Sequence, residues 1–127
     1  MDWALWCVLI AGLLPYLGTM FAKWGFKRFD NNDPRAWLAS QTGFRARGNA
    51  AQANSFEAFP LFAAGVIVAM MLHGNPRYID LIASVFVLAR IFFIICYVTN
   101  KASLRSLFWM IGISSSVALF IVAAIKI

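Results

Sequence analysis

The 127-residue chain carries a net charge of +6, with 62% hydrophobic residues, only 13% charged ones and a mean hydropathy of +0.76. Soluble domains hold about 25% charged and 45–50% apolar residues, so a small soluble enzyme and a disordered chain are both excluded. What remains is a single integral membrane domain over residues 1–127, because four spans of ~20 residues leave little chain for anything else.

The first apolar stretch runs from Trp3 to Ala22 without a charge. Trp3 and Trp6 stand at one end and Trp24 at the other, as in interfacial aromatic belts. Asp2 precedes the stretch and no basic n-region does, so a retained anchor helix is expected rather than a signal peptide. A polar loop follows over about residues 23–48, with Lys23, Lys27, Arg28, Arg35, Arg45 and Arg47 against Asp30 and Asp33. Asn31-Asn32-Asp33-Pro34 is a turn signal within it.

The second span is expected over about 49–73, with Glu57 as its charge and Pro60 inside it. The turn His73-Gly74-Asn75-Pro76-Arg77 makes spans two and three antiparallel neighbours. The third span is expected over about 78–98, with Arg90 inside, and the fourth over about 104–125. Gly112 and Ser116 form a small-xxx-small pair suited to a helix contact. The fold class is therefore an all-α four-helix membrane bundle.

Basic residues orient the bundle. The first and third loop regions hold eight, counting Lys101 and Arg105, and the opposite side holds Arg77 and Lys126. This asymmetry places the 23–48 loop in the cytoplasm and both termini outside. Cys7 and Cys96 lie in apolar runs and suggest no disulfide framework. The lone His73 sits in a turn, and no metal-ligand spacing is present.

Glu57 and Arg90 lie at membrane depth, where a charge costs about 2.5–3.5 kcal/mol at a helix centre. They are expected either to bind a ligand or to pair with each other. Arg47, Asn54 and Glu57 are seven and three residues apart, which puts them on one helix face. Arg90 and Tyr97 are likewise seven apart, and Arg105 opens the fourth helix at the depth of Tyr97. Three guanidiniums, a carboxylate, an amide and a phenol would suit a small net-anionic zwitterion at a membrane interface.

The stretch from Arg47 through Asn54, Glu57 and Pro60 to Phe62 resembles the second-helix signature of the MAPEG family, the membrane-associated proteins in eicosanoid and glutathione metabolism. The series Arg90, Tyr97, Arg105 resembles that family's third- and fourth-helix motif, so the resemblance covers the whole chain. It implies a homotrimer in the bilayer that binds glutathione as co-substrate between subunits. Asn54 and Glu57 would hold the peptide, with Glu57 near its amino group. Arg47, Arg90 and Lys27 or Arg28 would meet its carboxylates, and Tyr97 would help hold it. Arg105 would stabilise the thiolate as the catalytic residue. The implied activity is a glutathione transferase or peroxidase acting on hydrophobic electrophiles. Ala50, Ala58 and Phe93 depart from other members and point to the bacterial-type branch, hence an inner membrane. The alternatives are a non-catalytic lipid-binding or scaffold member and a small four-helix exporter. Such exporters carry their key Glu in the first helix, and the first span here has no charge.

Overall fold

A computed structural model describes residues 2–26 and 28–126, and every regular element among them is helical. Helix α1 is Trp3–Ala22, a 3-10 turn follows at Trp24–Phe26, and α2 is Pro34–Ala39. Then come α3 (Gly43–Met71), α4 (Pro76–Val98) and α5 (Ala102–Ile125). Four of these, α1, α3, α4 and α5, are long and apolar enough to cross a membrane.

Local chemistry sets the ends. Pro34 opens α2 and Pro76 opens α4, each behind a capping side chain. Asp33 Oδ1 accepts from the Ala36 N–H at 3.2 Å, and Asn75 Oδ1 accepts from the Arg77 N–H at 3.1 Å. At the end of α3, His73 adopts φ +59° and the Gly74 N–H donates to the Ala69 carbonyl at 2.9 Å. At the end of α4, Asn100 adopts φ +59° and the Lys101 N–H donates to the Cys96 carbonyl at 2.8 Å. Both are left-handed terminations that satisfy the last helical carbonyls.

The second spanning helix begins at Gly43 rather than near residue 49. Hydropathy registers only the part of a helix that lies in lipid, and Phe44 to Gly48 continue α3 past it. The 23–48 segment is also not a plain polar loop. Helix α2 buries Trp37 and Leu38 over Ala22, and Phe29 meets the Trp37 ring edge-on at 5.1 Å.

Helix α1 lies along α3, α4 lies along α5, and α3 also packs against both α4 and α5. The inward stripe of α1 is mostly small: Ala4, Cys7, Ala11, Gly18 and Ala22 are buried, while Leu13, Tyr16 and Met20 face outward. Lipid is as apolar as leucine, so close backbone packing rather than hydrophobic burial brings these helices together. The closest approach joins Gly18 and Gly48. A Cβ on Gly48 would stand 2.8 Å from the Ala22 nitrogen, and one on Gly18 would stand 2.8 Å from the Gln52 nitrogen. Deeper in the bundle Phe62 and Phe86 stack at 3.8 Å between α3 and α4, beside Val66, Ala83 and Leu119.

At the end of the bundle away from the loop, α4 caps α1. Asp80, a second charge in the third span that the sequence does not single out, accepts from the Ala4 N–H through Oδ1 at 2.8 Å. It satisfies one of the four free N–H groups that begin any helix. Ser84 Oγ donates to the Asp80 carbonyl and accepts from Trp3 Nε1, both at 2.7 Å.

The glycine crossing yields a stability test. Gly48→Leu should force α1 and α3 apart and lower stability by ~1–3 kcal/mol or more, as overpacking does. Gly12→Ala, whose new Cβ would meet only the Phe59 ring edge at 3.4 Å, should be neutral or slightly stabilising through helix propensity. Helicity followed during unfolding in mixed detergent micelles measures both.

Candidate functional site

The inward charge of α4 is Arg90, which is 3% exposed. Its Nη2 donates to Asn54 Oδ1 at 2.8 Å and to Ser55 Oγ at 3.2 Å. Ser55 in turn donates to the Ala51 carbonyl at 2.8 Å, so its hydroxyl is fixed to receive the guanidinium. The guanidinium lies 4.0 Å from the centroid of Phe93, one turn along its own helix. Gly112 of α5 lies against the side-chain stem, where an added Cβ would stand 3.4 Å from Arg90 Cδ. Charge-assisted hydrogen bonds contribute about 1.5–3 kcal/mol each, and a ring beneath a cation adds ~0.5–2 kcal/mol. Together these offset the ~2.5–3.5 kcal/mol cost of the buried charge.

The sequence left open a pairing of Arg90 with Glu57. The structure gives Arg90 other partners, and no ion pair forms among the described residues. Helix phase explains this. Ser55 is buried against α4, whereas Glu57 two positions on is exposed. Glu57 instead stands at the rim of a cavity of about 220 Å³, which Asn54, Leu61, Phe86, Arg90, Trp109 and Gly112 also line.

A second cavity of about 450 Å³ adjoins it, lined among others by Asn54, Phe93, Tyr97, Arg105 and Trp109. Asn54 and Trp109 belong to both. The Arg105 guanidinium rests 4.5 Å from the centroid of the Tyr97 ring, and that ring meets Phe93 edge-on at 5.6 Å. Because Asn54 Oδ1 is held by Arg90, its amide NH₂ is the donor it offers to these cavities.

Asn54, Glu57, Arg90, Tyr97 and Arg105 are therefore brought together on one wall of α3, α4 and α5. Arg47 sits at its loop-side edge and is committed elsewhere: its Nε donates to the Val98 carbonyl at 3.1 Å, tying α3 to the C-terminal end of α4. Arg28, at φ +54°, is exposed on the loop that follows α1 and lines neither cavity. Lys27 lies outside the described residues. Four contributors were not foreseen: Ser55 and Phe93, which hold Arg90, and Trp109 and Gly112, which shape the cavities. Trp109, Gly112 and Ser116 follow Arg105 by four, seven and eleven residues, a single helical stripe. That stripe was legible only as a helix-packing motif.

The family model described as the MAPEG family matches residues 3–125, nearly the whole chain. No curated protein matches the chain.

Partnership inside the bundle predicts a specific coupling. In double-mutant cycles of unfolding free energy, Arg90→Met and Asn54→Ala should be non-additive by about 1–2 kcal/mol, since they remove the same charge-assisted bond. Arg90→Met and Glu57→Gln should add to within about 0.5 kcal/mol. The reverse pattern would mean that the guanidinium belongs to Glu57.

Proposed function

The chain belongs to the MAPEG family, and we propose that it is a membrane-embedded glutathione transferase or peroxidase acting on hydrophobic electrophiles. The observation that carries the reading is the pair of adjoining cavities sharing Asn54 and Trp109. One has the Arg105 guanidinium and the Tyr97 phenol at its wall, and the other sets Asn54, Glu57 and Arg90 beside Leu61, Phe86 and Gly112.

Glutathione is a tripeptide with two carboxylates, one ammonium and one thiol. The groups present fit that inventory. Arg105 supplies a half-buried guanidinium already oriented by the Tyr97 ring. Asn54 supplies an amide donor for a peptide carbonyl or a carboxylate. Glu57 is an exposed carboxylate with no ion-pair partner among the described residues, suited to an ammonium. Arg90 is already bonded to Asn54 and Ser55, so its part is to aim Asn54 and to add positive potential. Arg47, given to Val98, would set the mouth of the site more than grip the peptide. In the proposed reaction the Arg105 guanidinium favours the thiolate. The sulfur then bonds to an electrophilic carbon presented from the cavity beside Trp109, and that carbon's leaving group departs with the electron pair. With a peroxide the sulfur bonds to one oxygen as the O–O bond breaks. The other oxygen leaves as alkoxide and takes a proton, and a second glutathione thiol reduces the resulting sulfenic acid to disulfide and water.

The working assembly in this proposal is a homotrimer with the peptide between subunits. In support, Glu57 and the cavity walls face outward from a single chain, so a second copy can close them. The proposed setting is a bacterial inner membrane with the loop end inside and both termini outside. The distribution of basic residues supports it, eight at the loop end against two at the other.

Two measurements test this. Native mass spectrometry from mild detergent should give a trimer as the active species, and an active monomer would remove the inter-subunit site. Ultraviolet absorbance of the thiolate, followed while glutathione is titrated across pH, tests Arg105. Wild type should hold the bound thiol below its free pKa of ~8.5. Arg105→Ala should bring it back toward that value, losing thiolate about tenfold to a hundredfold near neutral pH while affinity falls modestly. Arg105→Lys should recover part of the effect, since the charge remains without the planar fork. Identical titrations in wild type and Arg105→Ala would leave Arg105 as a carboxylate clamp only.

A further inference from the structure

Arg90 and Arg105 are joined by a continuous line of rings. On α4, Arg90, Phe93 and Tyr97 are three and four residues apart and share one face. The Arg90 guanidinium lies 4.0 Å from the Phe93 centroid, and the Phe93 and Tyr97 rings meet at 5.6 Å with an angle of 81°. The Arg105 guanidinium then lies 4.5 Å from the Tyr97 centroid. The line starts in the core, where Arg90 is 3% and Phe93 2% exposed. It ends at the loop-end cavity, where Tyr97 and Arg105 are half-buried.

Its two ends are held differently. Arg90 is bonded to Asn54 and Ser55. Among the described residues, no hydrogen bond or ion pair holds the Arg105 guanidinium, which rests on the Tyr97 ring. A cation on so flexible a stem keeps one place only where something offsets its lost rotamer freedom. The Tyr97 hydroxyl has no hydrogen bond among the described residues either, so packing alone fixes that ring. Phe93 supplies the packing. It belongs to a buried cluster with Leu14 of α1, Ala51 of α3 and Ile94, and Tyr97 and Phe108 of α5 pack against that cluster.

We propose that Phe93 is the positioning residue for Arg105, acting through Tyr97. An aromatic ring has a negative face and a positive edge. Phe93 can therefore take the Arg90 guanidinium on its face while meeting Tyr97 edge-on, and an aliphatic residue of similar volume can do neither. The buried cation is the fixed end of the line. Arg105 is the end that the line places at the cavity, beside Asn54 and Trp109. The consequence for the thiolate rests on the role proposed for Arg105.

Phenylglyoxal modification of the full-length protein in detergent, mapped by peptide mass spectrometry, reads the placement of Arg105 without glutathione. The exposed Arg35 and Arg77 serve as internal references. Phe93→Leu should raise the Arg105 rate, relative to those references, about threefold or more, the scale of a lost aromatic pair. Phe93→Met fills irregular space and gives the same reading if leucine unfolds the protein. Phe93→Tyr keeps the ring and should react as wild type. Phe92→Leu removes a neighbouring ring, stacked on Phe108 at 5.2 Å and off the line, and should leave the rate unchanged. With glutathione bound, the thiol titration of Phe93→Leu should move part of the way toward that of Arg105→Ala. A wild-type Arg105 rate in the folded aliphatic variants would overturn the proposal. So would equal increases in Phe92→Leu and Phe93→Leu, or a rate in Phe93→Tyr as high as in Phe93→Leu. An unmoved thiol titration in Phe93→Leu, where Arg105→Ala shifts it, would overturn it too. If Arg105→Ala itself leaves the titration unmoved while the aliphatic variants free the guanidinium, Phe93 still positions Arg105 and the thiolate role is what fails.

Discussion

A guanidinium placed among membrane helices must find its hydrogen-bond partners on those helices, because hydrocarbon offers none. Arg90 finds them on α3, in Asn54 and Ser55, and rests its face on Phe93. Much follows from this one contact. It sets the rotation of α4 relative to α3. It carries the side-chain stem past Gly112 on α5, where an added Cβ would come into contact with Arg90 Cδ at 3.4 Å. It turns the amide of Asn54 so that nitrogen, not oxygen, is offered outward. A neutral residue at 90 would remove the partner that orients the Asn54 amide, while Ser55 would keep only its bond to the Ala51 carbonyl.

That contact could not hold α3 in place without a firm backing. Helix α3 is pressed from the other side by α1, where Gly18 and Gly48 let the two backbones meet. Small residues face inward along α1 and large ones outward, the inverse of a soluble core, because lipid already solvates the large apolar side chains. The same stretch of α3 thus carries a packing face at Gly48, Ala51 and Ser55, and a chemical face at Asn54 and Glu57. Rigidity on the first makes geometry on the second reproducible.

Legibility in the sequence followed physical contrast. The four spans stood out because apolar stretches of that length, with so few charges, suit a bilayer and little else. Arg90 stood out because a charge within such a stretch is costly. Asn54 and Tyr97 were reachable from helical spacing. Ser55 was not, and Gly112 was legible only as half of a small-residue packing pair, since small residues are ordinary in membrane helices and only the neighbour across the interface shows what they meet. The attraction of opposite signs suggested Glu57 for Arg90, but the buried face of α3 is the one bearing Ser55, and helix phase decided the partner. Helix α2 was hidden because six residues make less than two turns, too few for a periodic signal. Its Asp33-Pro34 start was visible, though as a turn. Asp80 went unread because a charge near a span end looks interfacial, and its role depends on where α1 begins.

The division of the candidate site into two joined cavities has a consequence under the proposed function. The cavity with Tyr97 and Arg105 opens at the loop end, where a charged, water-soluble peptide arrives. The cavity with Leu61, Phe86 and Gly112 lies deeper and also carries Glu57 and Arg90, so there an apolar electrophile concentrated by the bilayer would meet the site's charged groups. Only Asn54 and Trp109 are common to both spaces, so the two reactants meet there. Arg105 lines only the first of these cavities, and if that space is drier than bulk water its fixed positive charge would stabilise a thiolate more than it would in bulk solvent. The placement of Arg105 one helical turn before Trp109 is thus the feature that would convert co-binding into chemistry.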